Sequence, residues 1–137
     1  MIELINTAVQ TVETGQSVVY NAEAVRSKCG AERHRPGSAF VTLTQPGRYL
    51  VGFSANIAVP TGETVGEISL SITQDGETLG GSLMRVTPAA VEQYFNVSTQ
   101  HYVDVYCKCC VYVGVLNTSD FPVLVDNPNL TAVRVCG

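Results

Sequence analysis

Residues 47–60 constrain the fold of this chain more than any other segment, and they read GRYLVGFSANIAVP. Apolar side chains occupy every second position from Tyr49 to Val59, and Gly52, Ser54 and Asn56 lie on the other side of the alternation. Successive side chains of a β-strand point to opposite faces, so this alternation predicts a long strand with one buried face. Proline and glycine at both ends of the segment predict turns that bound the strand.

The same alternation recurs along the chain and predicts roughly eight to ten strands in an antiparallel sandwich. Asp75-Gly76 is the dipeptide favoured in type I′ turns and predicts a hairpin, and residues 127–129, Asn-Pro-Asn, predict a turn between the last two strands. No segment keeps the apolar spacing of a packed helix, so we expect almost no helix. The predicted strands cover residues 16–20, 38–44, 47–59, 65–74, 78–86, 94–106, 109–117, 122–126 and 130–136.

Length and composition fit one domain that is partly covered by other subunits. The chain has 137 residues, of which 45% are hydrophobic and only 15% charged, against roughly 25% charged in typical soluble domains. A surface with so few charges is expected to bury part of its area against neighbouring subunits. The net charge of −4 argues against nucleic acid as a partner, and Arg33-His34-Arg35 is too short a basic cluster to change that expectation.

The first residues, MIELIN, lack the basic and apolar regions of a signal peptide, so we expect no export by the general secretory pathway. No window reaches the roughly 18 apolar residues of a membrane-spanning helix, so we expect no membrane partner. Without export, the five cysteines are expected to be reduced thiols.

Two late strands carry apolar side chains on both faces. Tyr102 and Tyr106 lie opposite a valine face around Asp104, and Tyr112 and Leu116 lie opposite a second valine face. A strand that is apolar on both sides of a two-layer sandwich requires a cover from outside its own domain, and a symmetry mate is the simplest one. We therefore predict a subunit interface formed by Tyr102, Tyr106, Tyr112 and Leu116. The alternative is that the tyrosines face solvent.

The order of several segments resembles a known family. The strand PGRYLVGFSANIAVP is followed by TVGEISLSITQDGETLGGS, VTPAA, NVSTQHYVDV, VYVGVLNTSD and NLTAVRV. This series, from about Ser38 to Val135, resembles the C1q/TNF-like jelly-roll modules of Firmicutes and their phages. The resemblance implies an all-β, two-sheet antiparallel jelly roll that assembles as a compact homotrimer.

The resemblance also implies a non-enzymatic role. Such modules form the heads of collagen-like stalk proteins, or head fibres and capsid decoration proteins of phages. This chain has no Gly-X-Y repeat, and a virion protein assembled in the host cytoplasm needs neither stalk nor signal peptide. We therefore expect a virion protein whose partners are its own copies and the major capsid protein or another virion component. The alternative is an adhesion module that binds a surface glycan or receptor through its distal loops.

The cysteines offer a possible metal site. Cys107, Cys109 and Cys110 are closely spaced, and Cys29, His34, His101 and Cys136 could approach them in the fold. Zinc commonly takes four Cys or His ligands in C-x₂₋₄-C pairs, and the C-x-C-C spacing departs from that pattern. We therefore favour packing of the thiols as small apolar groups over zinc, and intersubunit disulfides remain a third reading. We expect no cofactor and no metal.

No catalytic residues are predicted. No nucleophile motif surrounds the cysteines, and the carboxylates fall mainly in predicted turns without tryptophan platforms for a sugar. Residues 1–14 alternate only loosely, so they are either an edge strand or an extended arm that anchors the protein to a neighbour, and we favour the arm. Residues 15–137 form the predicted jelly-roll domain.

Overall fold

The structure is a computed structural model that describes residues 1–28, 30–106 and 110–136. Within these ranges the chain forms twelve strands and no helix, as the all-β prediction requires. The strands are β1 (Ile2–Ile5), β2 (Gln10–Val12), β3 (Ala22–Val25), β4 (Glu32–Arg33), β5 (Val41–Leu43), β6 (Gly47–Ala58), β7 (Ile68–Gln74), β8 (Glu77–Thr78), β9 (Met84–Val86), β10 (Phe95–Val105), β11 (Val111–Asn117) and β12 (Val123–Cys136).

The strands form two antiparallel sheets that pack face to face. Sheet A runs in the order β10-β6-β12-β1-β3, and β2 also pairs with β12. Sheet B runs in the order β4-β5-β11-β7-β8, and β9 also pairs with β7. From β5 onward the chain crosses repeatedly between the sheets, so neighbouring strands are distant in sequence. This is the predicted two-sheet jelly roll.

The core lies between the sheets and follows the alternation seen in the sequence. The inward side chains of β6 are at most 2% exposed, and the inward side chains of β7 are fully buried in the same cluster. Burying one such side chain stabilises the fold by about 1.5–3 kcal/mol. The hydroxyl of Tyr49 donates to the carbonyl of Gln45 at 2.8 Å, so this buried ring leaves no unpaired polar atom. The inward residues are Tyr49, Val51, Phe53, Ala55 and Ile57 on β6, and Ile68, Leu70 and Ile72 on β7.

The N-terminal segment lies inside sheet A. β1 pairs with β12 on one side and with β3 on the other, and Ile2 and Leu4 belong to the core. β2 pairs with β12 further along that strand. β1 is therefore an inner strand with hydrogen-bonded neighbours on both sides, whereas β2 has β12 as its one strand partner among the described residues and lies at an edge. Residues 1–14 thus supply one inner strand and one edge strand to the chain's own sheet, instead of the extended arm that we favoured.

Three other local predictions are wrong. Residues 78–86 do not form one strand, because β8 ends at Thr78 and β9 begins at Met84. Residues 127–129 do not separate two strands, because β12 continues through them with a bulge at which Asn127 takes a φ of 52°. Residues 16–20 form only a single bridge between Ser17 and Leu116. The Asp75-Gly76 turn is confirmed, since both residues have the positive φ angles, 52° and 87°, of a type I′ turn.

Asn117 closes one end of the sandwich. Its Nδ2 donates to the carbonyl oxygens of Val12 at 2.9 Å and Phe121 at 3.1 Å, and its Oδ1 accepts from the amide of Ser119 at 2.9 Å. Val12 lies in sheet A and Asn117 lies at the end of β11 in sheet B, so one buried side chain connects the two sheets.

Gly47, at the start of β6, gives a first testable prediction. Its φ of 143° is unfavourable for any side chain, and a β-carbon there would lie 2.5 Å from the carbonyl oxygen of Cys136. We expect Gly47→Ala to lower the free energy of unfolding by about 2–3 kcal/mol. Urea denaturation measures this loss. Gly80→Ala is the matched control, because a β-carbon at Gly80 meets nothing within 4 Å. Equal stability of the two variants would contradict the prediction.

Candidate functional site

The four residues predicted to form a subunit interface lie on two different faces. Tyr102 and Tyr106 belong to or follow β10 in sheet A, whereas Tyr112 and Leu116 belong to β11 in sheet B. Their valine neighbours point into the core, so both pairs point outward. Because the two sheets pack face to face, the pairs lie on opposite sides of the molecule. The four residues therefore do not form one surface, and each pair is described separately.

The first surface is an aromatic and aliphatic patch at one end of the outer face of sheet A. The strand register places Tyr102 beside Leu50, and Leu50 beside Val133 on β12. Tyr102 is 57% exposed and Tyr106 is 81% exposed. We call these four residues and Arg48 the tyrosine patch.

Arg48 and Asp104 form an ion pair within this patch. Arg48 Nε donates to Asp104 Oδ1 at 2.7 Å and a second guanidinium nitrogen donates to Oδ2 at 3.1 Å, so the pair is bidentate. The guanidinium carbon lies 5.9 Å from the centre of the Tyr102 ring. The two contacts hold the guanidinium over the aromatic ring and fix the polar border of the patch.

The ion pair gives a pH-dependent prediction. Hydrogen bonds from Arg48 hold the pKa of Asp104 below its ordinary value. A lowered pKa in the folded state means that the pair stabilises the fold above the unfolded pKa of the carboxyl group, and that this stabilisation is lost as the pH falls through the folded pKa. We expect Asp104→Asn to lower the melting temperature at neutral pH by a few degrees at most, because the pair is exposed, and to have no effect in strong acid.

Thermal unfolding followed by circular dichroism at several pH values tests this expectation. The control is Glu67→Gln, since the Glu67 carboxylate only approaches Arg85 at 3.8 Å. A difference between wild type and Asp104→Asn that persists unchanged in strong acid would contradict the assignment.

The centre of the same outer face is polar and shallow. Small and polar side chains surround a depression of about 460 Å³. Glycine, serine and threonine predominate, so nothing large projects from the centre of sheet A. The lining residues are Gly52, Phe53, Ser54, Ser98, Thr99, Gln100, Asn129 and Thr131.

The second surface is a cavity of about 660 Å³ at the β4 edge of sheet B. Arg33 on β4, Thr42 on β5 and Tyr112 on β11 are neighbours in the strand register. The loop between β4 and β5 forms one wall of the cavity and supplies both Arg35 and Phe40. We call this surface the basic cavity. The sequence shows the arginines as a short basic cluster but does not connect them with either aromatic residue.

The loop that forms one wall of the basic cavity is held by buried contacts. His34 Nε2 lies 3.1 Å from the carbonyl oxygen of Ser38, and the amide of Gly37 donates to the carbonyl of Tyr20 at 2.8 Å. The edge of the fully buried Tyr20 ring meets the His34 ring at 6.3 Å between centroids. Burial raises the pKa of the Tyr20 hydroxyl far above its ordinary value, so this residue stays neutral.

Neither histidine is placed as a catalytic base against a cysteine or carboxylate in the described residues. His34 faces the carbonyl of Ser38, and His101 lies between the carbonyl oxygens of Gly80 at 2.9 Å and Tyr102 at 2.7 Å. His101 therefore connects β10 of sheet A with the loop between β8 and β9 of sheet B. These contacts assign structural roles to both rings.

The possible zinc site depends largely on Cys29, Cys107 and Cys109, which lie outside the described residues. Within the described ranges, no three Cys, His, Asp or Glu side chains are placed to hold a metal ion. Cys110 is disulfide-bonded, so the expectation that all thiols are reduced is wrong at this position. Cys136 is exposed. Nor does any helix long and apolar enough to cross a membrane occur in the part of the chain that the structure describes.

No protein-family model and no curated protein matches the sequence. Solved structures do match the fold. The globular domain of zebrafish complement 1qA superposes with a TM-score of 0.72 at 12% identity, covering 98% of this chain and 95% of that chain. Eiger TNF from S. frugiperda gives 0.72 at 11% identity, covering 98% and 92%. Murine APRIL gives 0.65 at 10% identity, covering 98% and 97%. The two sheets, their strand order and these superpositions together show that the chain adopts the C1q/TNF-like jelly-roll fold.

Proposed function

We propose that this chain is a non-enzymatic module that acts as a homotrimer and associates through the tyrosine patch on sheet A. The observation that carries the proposal is the patch itself. Tyr102 and Tyr106 are both more than half exposed, and Tyr102 lies beside the half-buried Leu50, whose other neighbour is the half-buried Val133. Aromatic residues with a polar hydroxyl are enriched in protein interfaces, where they bury a large ring while keeping a hydrogen bond.

A homotrimer agrees with the sequence resemblance to C1q/TNF-like modules. The polar centre of the same face has no large side chain, so a neighbouring subunit can approach it closely. Sheet B would then remain on the outside of the assembly, and its basic cavity would stay open to solvent.

Light scattering of the purified native protein tests the oligomeric state. A stable mass of three times the 14.6 kDa of one chain supports the trimer, and a mass of one chain contradicts it. Because Cys110 is disulfide-bonded, the measurement is made with and without reductant. A trimer that persists in reductant assigns the assembly to the packed surfaces.

For the biological role we propose a structural protein of a virion, either a capsid decoration protein or a head fibre. The support is the order of sequence segments, which resembles modules of Firmicutes phages. Sedimentation of particles from lysed host cells tests this role. The protein should sediment with particles that contain the major capsid protein, and a protein found only in the soluble fraction would contradict the proposal.

The second candidate function is recognition of a surface glycan. The basic cavity favours it, because a concave site with arginine and aromatic side chains is suited to a charged ligand. The two functions are compatible, since the trimer surface and the cavity lie on opposite sheets.

A further inference from the structure

The basic cavity stands out electrostatically from the rest of an acidic chain. Four of the eight Lys and Arg residues lie between positions 26 and 35, namely Arg26, Lys28, Arg33 and Arg35. The one acidic residue in that segment, Glu32, has a side chain that is only 1% exposed and accepts a hydrogen bond from Ser27 at 2.8 Å. Its charge is therefore withdrawn from the surface, whereas Arg33 and Arg35 are exposed and line the cavity.

The two arginines that line the cavity have unused donors. Neither Arg33 nor Arg35 makes an ion pair or side-chain hydrogen bond with any residue in the ranges 1–28, 30–106 and 110–136. The guanidinium group presents a planar set of N–H donors that matches the oxygens of carboxylate, sulfate and phosphate groups. The cavity therefore has capacity for an anion that the described part of the protein does not supply.

The cavity also has aromatic walls. Tyr112 is 49% exposed and Phe40 is 36% exposed. The ring of Phe40 is packed against β11, since a β-carbon placed on Gly114 would lie 2.8 Å from Phe40 Cδ1. Gly114 therefore makes room for the ring, which fixes one wall beside Tyr112. A ligand that uses the whole cavity needs an anionic group and a flat apolar surface.

We propose that the basic cavity binds an acidic carbohydrate, in which a sugar ring carries a carboxylate or sulfate group. The arginines would contact the anionic group, and the C–H face of the ring would stack on the aromatic walls, whose π faces carry partial negative charge. Thr42 lies between Arg33 and Tyr112 in the strand register, and its hydroxyl would bond the hydroxyls of the sugar. A volume of about 660 Å³ falls within the usual range of ligand sites, roughly 300–1,000 Å³.

The favoured ligand class follows from this combination. An acidic peptide supplies carboxylates but no ring on the same group, and inorganic phosphate supplies no apolar face. Long nucleic acids are disfavoured by the net charge of −4 on the whole chain and by the small extent of the basic surface.

Isothermal titration calorimetry with a heparin-derived tetrasaccharide tests the proposal, because this probe carries both carboxylates and sulfates. We expect saturable binding of the tetrasaccharide and no binding of neutral maltotetraose. Arg33→Ala should weaken binding about tenfold, the effect of losing one charge-assisted contact. Tyr112→Ala should also weaken binding several-fold although it changes no charge. Arg85→Ala is the control, since it removes the same charge from sheet B outside the cavity.

Three results would overturn the proposal. The first is no binding at millimolar tetrasaccharide. The second is equal weakening by Arg33→Ala and Arg85→Ala, which would indicate diffuse attraction by charge. The third is tighter binding of inorganic phosphate or of a glutamate tetrapeptide than of the tetrasaccharide. The carbohydrate proposal does not depend on the homotrimer, because each variant is titrated whatever its oligomeric state. A monomer that binds the tetrasaccharide would contradict the homotrimer and leave the carbohydrate proposal standing.

Discussion

Replacing Tyr102 and Tyr106 together by serine is expected to reduce the mass of the native protein from three chains to one. Each chain of the proposed trimer contributes both rings, so the double substitution removes six aromatic side chains from the assembly. Aromatic residues at the centre of an interface commonly contribute about 2 kcal/mol or more each to association. Serine introduces no new charge, so Arg48 keeps its partner Asp104 in the variant.

Tyr112→Ser is the matched control for this experiment. It makes the same chemical change at an exposed tyrosine of the opposite sheet, and we expect its mass to remain that of three chains. Light scattering and sedimentation velocity at equal concentrations measure all three proteins. If Tyr112→Ser dissociates the protein and the double variant does not, the interface lies on sheet B, and both the proposed interface and the open basic cavity are wrong.

Asn117→Ala is expected to cost about 3–4 kcal/mol of unfolding free energy, the largest loss that we predict for a single substitution. The substitution leaves two carbonyls and one amide without the side-chain partner they have in the native structure. Each buried polar group left unsatisfied costs about 1–3 kcal/mol, and partial relaxation or an entering water reduces the sum. Loss of the contact to Val12 also removes a side-chain hydrogen bond between β2 and sheet B.

Asn21→Ala is the control for Asn117→Ala. The Asn21 side chain bonds the amide and hydroxyl of Thr7, but these contacts are exposed and water can replace them. We expect this change to cost less than about 1 kcal/mol in the same urea denaturation experiment. Because association adds to apparent stability, all variants are compared at one protein concentration. A loss below about 1 kcal/mol for Asn117→Ala would show that the side chain does not hold the two sheets together.

The strands that the sequence predicts well are those with strong period-two alternation. β6, β10 and β11 lie within a residue or two of their predicted limits, because the alternation of each strand ends at residues that leave the sheet. The Asp75-Gly76 turn was equally predictable, since few dipeptides adopt two positive φ angles without strain.

The short strands could not be predicted in the same way. β1 and β2 have weak local patterns, and pairing with the distant β12 is what holds them in sheet A. Residues 127–129 carry turn-forming side chains, but a β-bulge uses the same positive φ that a turn does. A single-sequence pattern therefore does not distinguish the end of a strand from a bulge within it.

The candidate surfaces were predictable only as separate pieces. Tyr102 and Tyr112 have the same local pattern, and which sheet each strand joins depends on pairings between distant residues. The local pattern therefore predicts one surface where the structure has two. Arg33, Phe40 and Tyr112 become neighbours only through the register of β4, β5 and β11. Residue types indicated what each side chain can bind, and only the topology indicated which of them act together.

The position of β12 between β6 and β1 also determines how the protein is made. β12 is synthesised after the other strands of sheet A, yet this strand joins the N-terminal strands to the rest of the sheet. Until residues 123–136 leave the ribosome, β1 lacks one of its two partners and β6 has a bare edge. Sheet A therefore cannot be completed before β12 is available, and such distant pairings make folding slow. During that interval the unpaired edge of β6 is the part of the chain most open to association with another nascent strand.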